Sequence, residues 1–132
     1  MSHTAAMLET APSESRYDRE ALARCIESCL DCAQSCTACA DACLAEETVA
    51  ELRRCIGLNL TCADVCATTA FALSRQITSD DQALRALLDA CAQVCASCGG
   101  ECEAHAHHHE HCRVCAEACR ECEARCRELL AA

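Results

Sequence analysis

Cysteine returns along this chain in alternating steps of three and four: Cys25, Cys29, Cys32, Cys36, Cys39 and Cys43, then Cys91, Cys95, Cys98 and Cys102, then Cys112, Cys115, Cys119, Cys122 and Cys126. Those steps are the helical repeat, so each run lays its thiols along one face of a helix. Such a face normally carries leucine and isoleucine and packs against other helices. Here the buried seam is sulfur, and the core itself becomes the candidate functional site. With Cys55, Cys62 and Cys66 the total is eighteen cysteines in 132 residues.

The length fits one domain with one core of ordinary size. Aromatics are 2% of the chain, essentially Tyr17 and Phe71, so the core must be built from alanine, cysteine and leucine, which lets helices approach closely. Few glycines, a single proline and no Asn-Gly or Asp-Gly pair leave little basis for a sheet. A net charge of -10 with no lysine argues against nucleic acid as a partner. The opening stretch has no continuous apolar run and no twin arginine ahead of one, and about 18 uninterrupted apolar residues occur nowhere. A soluble, cytoplasmic protein without a membrane partner is expected. A secreted disulfide scaffold would suit the cysteine density, but such scaffolds are loop-rich with irregular spacings, and links between neighbours on one helix would be strained.

Residues 1–14 read as a mobile or loosely docked arm ahead of one domain, residues 15–132. Ser15 with Asp18, Thr48 with Glu51, and Ser79 with Gln82 resemble capping boxes. They predict helices from about Asp18 to Leu44, from Thr48 to about Gln76, and from Ser79 to about Ala104, with a fourth from about Cys112 onward. Short connections make neighbouring helices antiparallel, which gives an all-α, up-down-up-down four-helix bundle with a cysteine-lined core. Gly99 and Gly100, inside the third helix, suggest a close backbone approach or a kinked turn. Leu22, Ile26 and Leu30 form a second stripe that would widen the core or form a subunit interface. Glu117, Glu121 and Arg125, or Glu123 and Arg127, read as a solvated face.

Residues four apart on a helix can direct both side chains at one ion. Eight Cys-x-x-x-Cys pairs occur, namely Cys25 with Cys29, Cys32 with Cys36, Cys39 with Cys43, Cys62 with Cys66, Cys91 with Cys95, Cys98 with Cys102, Cys115 with Cys119 and Cys122 with Cys126. Cys55 and Cys112 remain without a partner in that scheme. A buried thiolate needs a compensating charge. Zinc in four-thiolate sites leaves about two excess negative charges per site, whereas a monovalent soft ion at one per thiolate leaves the interior neutral. Copper(I) fits, at an expected load of about one ion per cysteine. An iron–sulfur or electron-transfer protein is the alternative metal reading, since Cys91-x-x-x-Cys95-x-x-Cys98 has the spacing of a radical-enzyme cluster loop. The ferredoxin run ending in Cys-Pro is absent. A low-capacity copper chaperone would need an exposed site rather than a sulfur interior. No cysteine is singled out with a histidine and an orienting acid, so no enzyme is expected.

The exceptions to the repeat give the seam a direction. Asn59 follows Cys55 by four residues and His108 precedes Cys112 by four. In the expected topology Asn59, His105, His107, His108, His109 and His111 gather at one mouth, where imidazoles would capture ions and pass them to thiolates. His111 shares a face with Cys115, and His105 continues the stripe of Cys102. The candidate ligands are therefore the eighteen cysteines with His105, His107, His108, His111 and Asn59. Thr69, Leu73, Leu84, Leu88, Leu129 and Leu130 plug the far end. His3, Met1 and Met7 have copper-compatible side chains on the arm.

From Asp18 to Leu130 the chain closely resembles the cytosolic copper storage proteins of bacteria, on the run Cys25 to Cys43, the sparser Cys55, Cys62 and Cys66, the four from Cys91 and the five from Cys112. The resemblance implies a four-helix bundle whose lumen binds many copper(I) ions through cysteine, with histidine and asparagine sites near one end, assembled as a homotetramer. Secreted relatives carry a twin-arginine signal, which this sequence lacks.

Overall fold

The computed structural model describes residues 2–132. It contains a short helix α1 (Thr4–Thr10) and four long helices, α2 (Arg19–Leu44), α3 (Arg53–Ser74), α4 (Asp81–His105) and α5 (Glu110–Ala131), with no strand among the described residues. α2 packs on α3, α3 on α4, α4 on α5 and α5 back on α2, which closes a four-membered ring. Cys25 meets Cys126 and Cys39 meets Cys112, so α2 and α5 run in opposite directions. Cys55 meets Cys102 and Cys66 meets Cys91, which opposes α3 to α4 in the same way.

The helix starts differ from the capping boxes read in the sequence. Asp18 caps α2, its carboxylate accepting from the Ala21 amide at 3.0 Å, and Asp80 caps α4 by accepting from Ala83 at 3.1 Å. Aspartate and serine are comparable caps. The serines serve the turns instead: Ser15 Oγ accepts from the Tyr17 amide and bonds Gln76 Oε1, and Ser79 Oγ donates to the Gln76 carbonyl. Thr48 makes no side-chain cap, and a 3-10 turn, Val49–Leu52, leads into α3.

The arm is partly ordered. α1 lies against α2, and Leu8 packs on the core, while His3 and Met7 are exposed. Met1 lies outside the described residues. Leu22 and Ile26 join the core of their own bundle, and only Leu30 of that stripe reaches the surface, at 38% exposure. Val49–Ser74 is long and apolar enough to cross a membrane by length and composition. Within it Cys55, Cys62, Cys66, Ala70 and Leu73 are fully buried in the bundle interior, while Leu60 and Phe71 are exposed on the outer face. At the end away from the α4–α5 turn, Leu73, Leu88 and Leu129 close the lumen. On the outside, Arg125 pairs with Glu121 at 3.7 Å and Arg127 with Glu123 at 3.1 Å, contacts that contribute tenths of a kcal/mol.

The two glycines of α4 have different surroundings. A Cβ on buried Gly99 would meet Cys119 Cβ and Arg120 Nε at 3.3 Å, whereas one on exposed Gly100 would meet nothing nearer than 3.9 Å. Gly99 therefore permits the α4–α5 approach. Gly100→Ala should raise the unfolding free energy by about 0.5–1 kcal/mol through helix propensity, with Gly99→Ala gaining less or losing stability as Cys119 is pushed away. Chemical denaturation checks this; equal gains at both positions would contradict the close packing.

Candidate metal centre

All eighteen cysteines are free thiols, and none is more than 2% exposed. α2 supplies six, α3 three, α4 four and α5 five, each from the face turned toward the lumen. Free cysteine packs as a small hydrophobe, so the sulfur seam can form without metal and hold its donors ready.

The sulfurs do not sort into eight pairs along single helices. Cys32 and Cys36 are in contact at 3.7 Å and Cys62 and Cys66 at 3.8 Å, but each pair is joined by a sulfur from a facing helix. Cys119 lies 3.8 Å from Cys32 and 3.6 Å from Cys36. Cys95 lies 3.8 Å from Cys62 and 3.6 Å from Cys66. Each set is a nearly equilateral triangle, and an ion at its centre would sit about 2.1–2.2 Å from every sulfur, near the roughly 2.3 Å of a zinc–thiolate bond. The i,i+4 spacing gives one edge, and the antiparallel partner closes the figure.

Larger sets share sulfurs. Cys29, Cys91, Cys122 and Cys126 have donors within 4.8 Å of one another, as do Cys32, Cys66, Cys95 and Cys122, and Cys36, Cys98, Cys115 and Cys119. Cys32 and Cys36 also share a set with Cys62 and Cys119, so the donors form a connected lattice along the lumen. Cys55 and Cys112, odd in the helical pairing, find partners across the bundle: Cys55 lies 3.7 Å from Cys102 and Cys112 3.9 Å from Cys39.

Asn59 sits inside this lattice rather than at its mouth, and it is fully buried. Its Oδ1 accepts from the thiols of Cys98 at 3.0 Å, Cys115 at 3.2 Å and Cys102 at 3.5 Å, while Nδ2 donates to Cys55 Sγ at 3.6 Å. The amide links the outermost cysteines to the layer beneath them. Thr69, the other buried polar side chain, bonds its own helix at the Val65 carbonyl.

The histidines divide. His111 directs Nδ1 to Cys39 Sγ at 3.4 Å and to Cys112 Sγ at 3.7 Å, and joins Cys39, Cys43 and Cys112 in a four-donor set. His105 instead pairs with Glu101 at 2.9 Å, and His107 and His108 are exposed. His109 bonds Glu46 and stacks on His111 with ring centroids 5.6 Å apart. Glu46, whose Oε2 lies 3.1 Å from His111 Nε2, was not singled out from the sequence. It stands three residues after Cys43, the next step of the same stripe, which is the signal that marks it.

Protonation at the mouth is uneven. Hydrogen bonding from Cys102 lowers the Cys39 thiol to about 5, with Cys55 and His111 acting in the same direction against Cys115 and burial. Burial pushes Cys43 up to about 12 and raises Cys112 as well. Burial lowers the His111 imidazole, but its bonds to Cys39 and Glu46 outweigh that and leave it raised. In the set with His111, Cys39 is thus the thiol that ionises most readily, while Cys43 and Cys112 stay protonated.

The copper storage protein family profile matches residues 18–131. The chain is 60% identical to the copper storage protein Ccsp of Streptomyces lividans in a structure loaded with 10 copper equivalents, with a TM-score of 0.95 over 97% of this chain and 98% of that one. It is 37% identical to the Cu(I)-bound copper storage protein BsCsp3, with a TM-score of 0.72 over 80% of this chain and 94% of that one. A cysteine-rich Bacillus subtilis protein, YhjQ, is 38% identical over 107 residues, 81% of this chain and 94% of its own length.

A depressed thiol favours the fold when ionised, so the contribution of Cys39 in the metal-free protein is complete above its ordinary value of 9.0 and lost as pH falls through about 5. The stability difference between wild type and Cys39→Ser should therefore widen from pH 5 to pH 9 in urea titrations under reducing conditions. A difference that does not change with pH would contradict the assignment.

Proposed function

The chain belongs to the copper storage protein family, and from that premise we propose that it holds many copper(I) ions on the sulfur lattice of its lumen as a high-capacity store. The observation that carries the reading is the lattice itself: eighteen buried free thiols with triangles of 3.6–3.8 Å edges. Soft thiolates select copper(I), and one monovalent ion per thiolate neutralises an interior that bare thiolates would make prohibitively costly. The reading needs no catalytic step. It keeps copper(I) away from iron–sulfur enzymes, which accounts for homeostasis and detoxification together.

The proposal extends to location, assembly and direction. The related Streptomyces lividans protein is a cytosolic copper storage protein, and a reducing cytosol suits a site made of free thiols. A homotetramer is proposed from family resemblance, and the exposed Leu30, Leu60, Phe71 and Val114 supply apolar surface for contacts between copies. Ions would enter at the α4–α5 turn, because His111 touches the outermost sulfurs there while leucine closes the other end. In this scheme His105, His107 and His108 assist capture near the turn, and Asn59 assists transfer between the first two layers.

Anaerobic titration with copper(I) should saturate at about one ion per cysteine, and saturation at four or five ions per chain would favour zinc-like four-thiolate sites instead. Replacing His107, His108 and His111 together should slow uptake far more than it lowers capacity. Unchanged uptake kinetics would remove the histidine mouth from the account.

A further inference from the structure

We propose that Glu46 is the positioning residue of the copper mouth, holding His111 so that one ring nitrogen faces the outermost sulfurs; the inference rests on the reading that ions enter past His111. Glu46 lies in the turn after α2, and its Oε2 reaches two histidines at the start of α5, His111 Nε2 at 3.1 Å and the N-cap His109 Nδ1. Thr48 Oγ1 lies 3.4 Å from the remaining nitrogen of His109. One carboxylate thus ties the α2–α3 connection to the α4–α5 connection across the open end.

The geometry dictates which nitrogen can ligate. The Nε2–H of His111 donates to Glu46, so in the neutral ring the lone pair is on Nδ1, the atom 3.4 Å from Cys39 Sγ and 3.7 Å from Cys112 Sγ. A metal-ligating histidine commonly donates its second ring N–H to a carboxylate, which fixes the tautomer and orientation and raises the basicity of the ligating nitrogen. The stacked ring of His109, held by the same carboxylate, limits rotation of His111 from its other side. Without Glu46 the ring would sample both tautomers and turn its lone pair toward solvent. The sulfur lattice below would be untouched, so capacity should not depend on this residue.

The test is anaerobic rapid mixing of full-length protein with copper(I) in acetonitrile-containing buffer, followed by copper–thiolate absorbance, for Glu46→Ala, Glu46→Gln, His111→Ala and the double variant Glu46→Ala/His111→Ala. Glu46→Ala should slow uptake of the first equivalents about tenfold, the lower end of what loss of such an orienting partner costs, with final capacity unchanged. Glutamine keeps an accepting oxygen, so Glu46→Gln should load within about threefold of wild type. The double variant should be no slower than His111→Ala, because Glu46 acts through that ring. Nitrogen-15 NMR of the metal-free protein, at a pH high enough for the His111 ring to be neutral, supplies a readout that a purely structural role would not move: His111 should be protonated on Nε2 in wild type and a tautomer mixture in Glu46→Ala. Wild-type uptake by Glu46→Ala while His111→Ala is slow, additive slowing in the double variant, or an unchanged His111 tautomer in Glu46→Ala would each overturn the proposal. If His111→Ala itself loads normally, the histidine route falls, and the tautomer measurement alone decides whether Glu46 positions the ring.

Discussion

Burying many thiolates together is costly unless positive charge lies among them, and the architecture follows from that constraint. As free thiols the eighteen cysteines pack like small apolar side chains and let the helices close around them. Ionised, they need positive charge within the lumen itself, because the arginines that form ion pairs do so with outer carboxylates. One sulfur lattice can therefore be both a hydrophobic core and a ligand array, with monovalent soft ions converting the first into the second.

Geometry completes what charge begins. The helical repeat brings two sulfurs to one edge, and the opposed helix brings the third, as Cys119 does for Cys32 and Cys36. Small neighbours make this possible: α4 reaches α5 at Gly99, where a Cβ would already crowd Cys119. Leu73, Leu88 and Leu129, with almost no exposed surface, close the end away from the histidines. The proposed entry lies at the opposite end, by the α4–α5 turn, where His111 meets the outermost sulfurs and Glu46 reaches its far nitrogen.

The four long helices and their inward sulfur faces were legible in the sequence because a period of three and four over so many positions allows one local structure and one buried side. Helix starts were less so, since Ser15 and Asp18, or Ser79 and Asp80, are competing caps and only the turn decides which carboxylate or hydroxyl reaches the amides. The sulfur partners were legible in part. Intrahelical spacing gave Cys32 with Cys36, but register between helices supplied Cys119 and joined Cys55 to Cys102 and Cys112 to Cys39. The histidine tract marked one end of the bundle without saying which ring faces inward, because the direction of a turn is set by contacts from elsewhere, here Glu46 on the opposite connection.

X-ray absorption at the copper edge of the fully loaded protein tests the central claim most directly. The account predicts a first shell dominated by sulfur, with nitrogen or oxygen no more than a small fraction, and a copper(I) edge. A first shell dominated by nitrogen and oxygen would place the copper on histidines and carboxylates of the surface and contradict storage in the sulfur core.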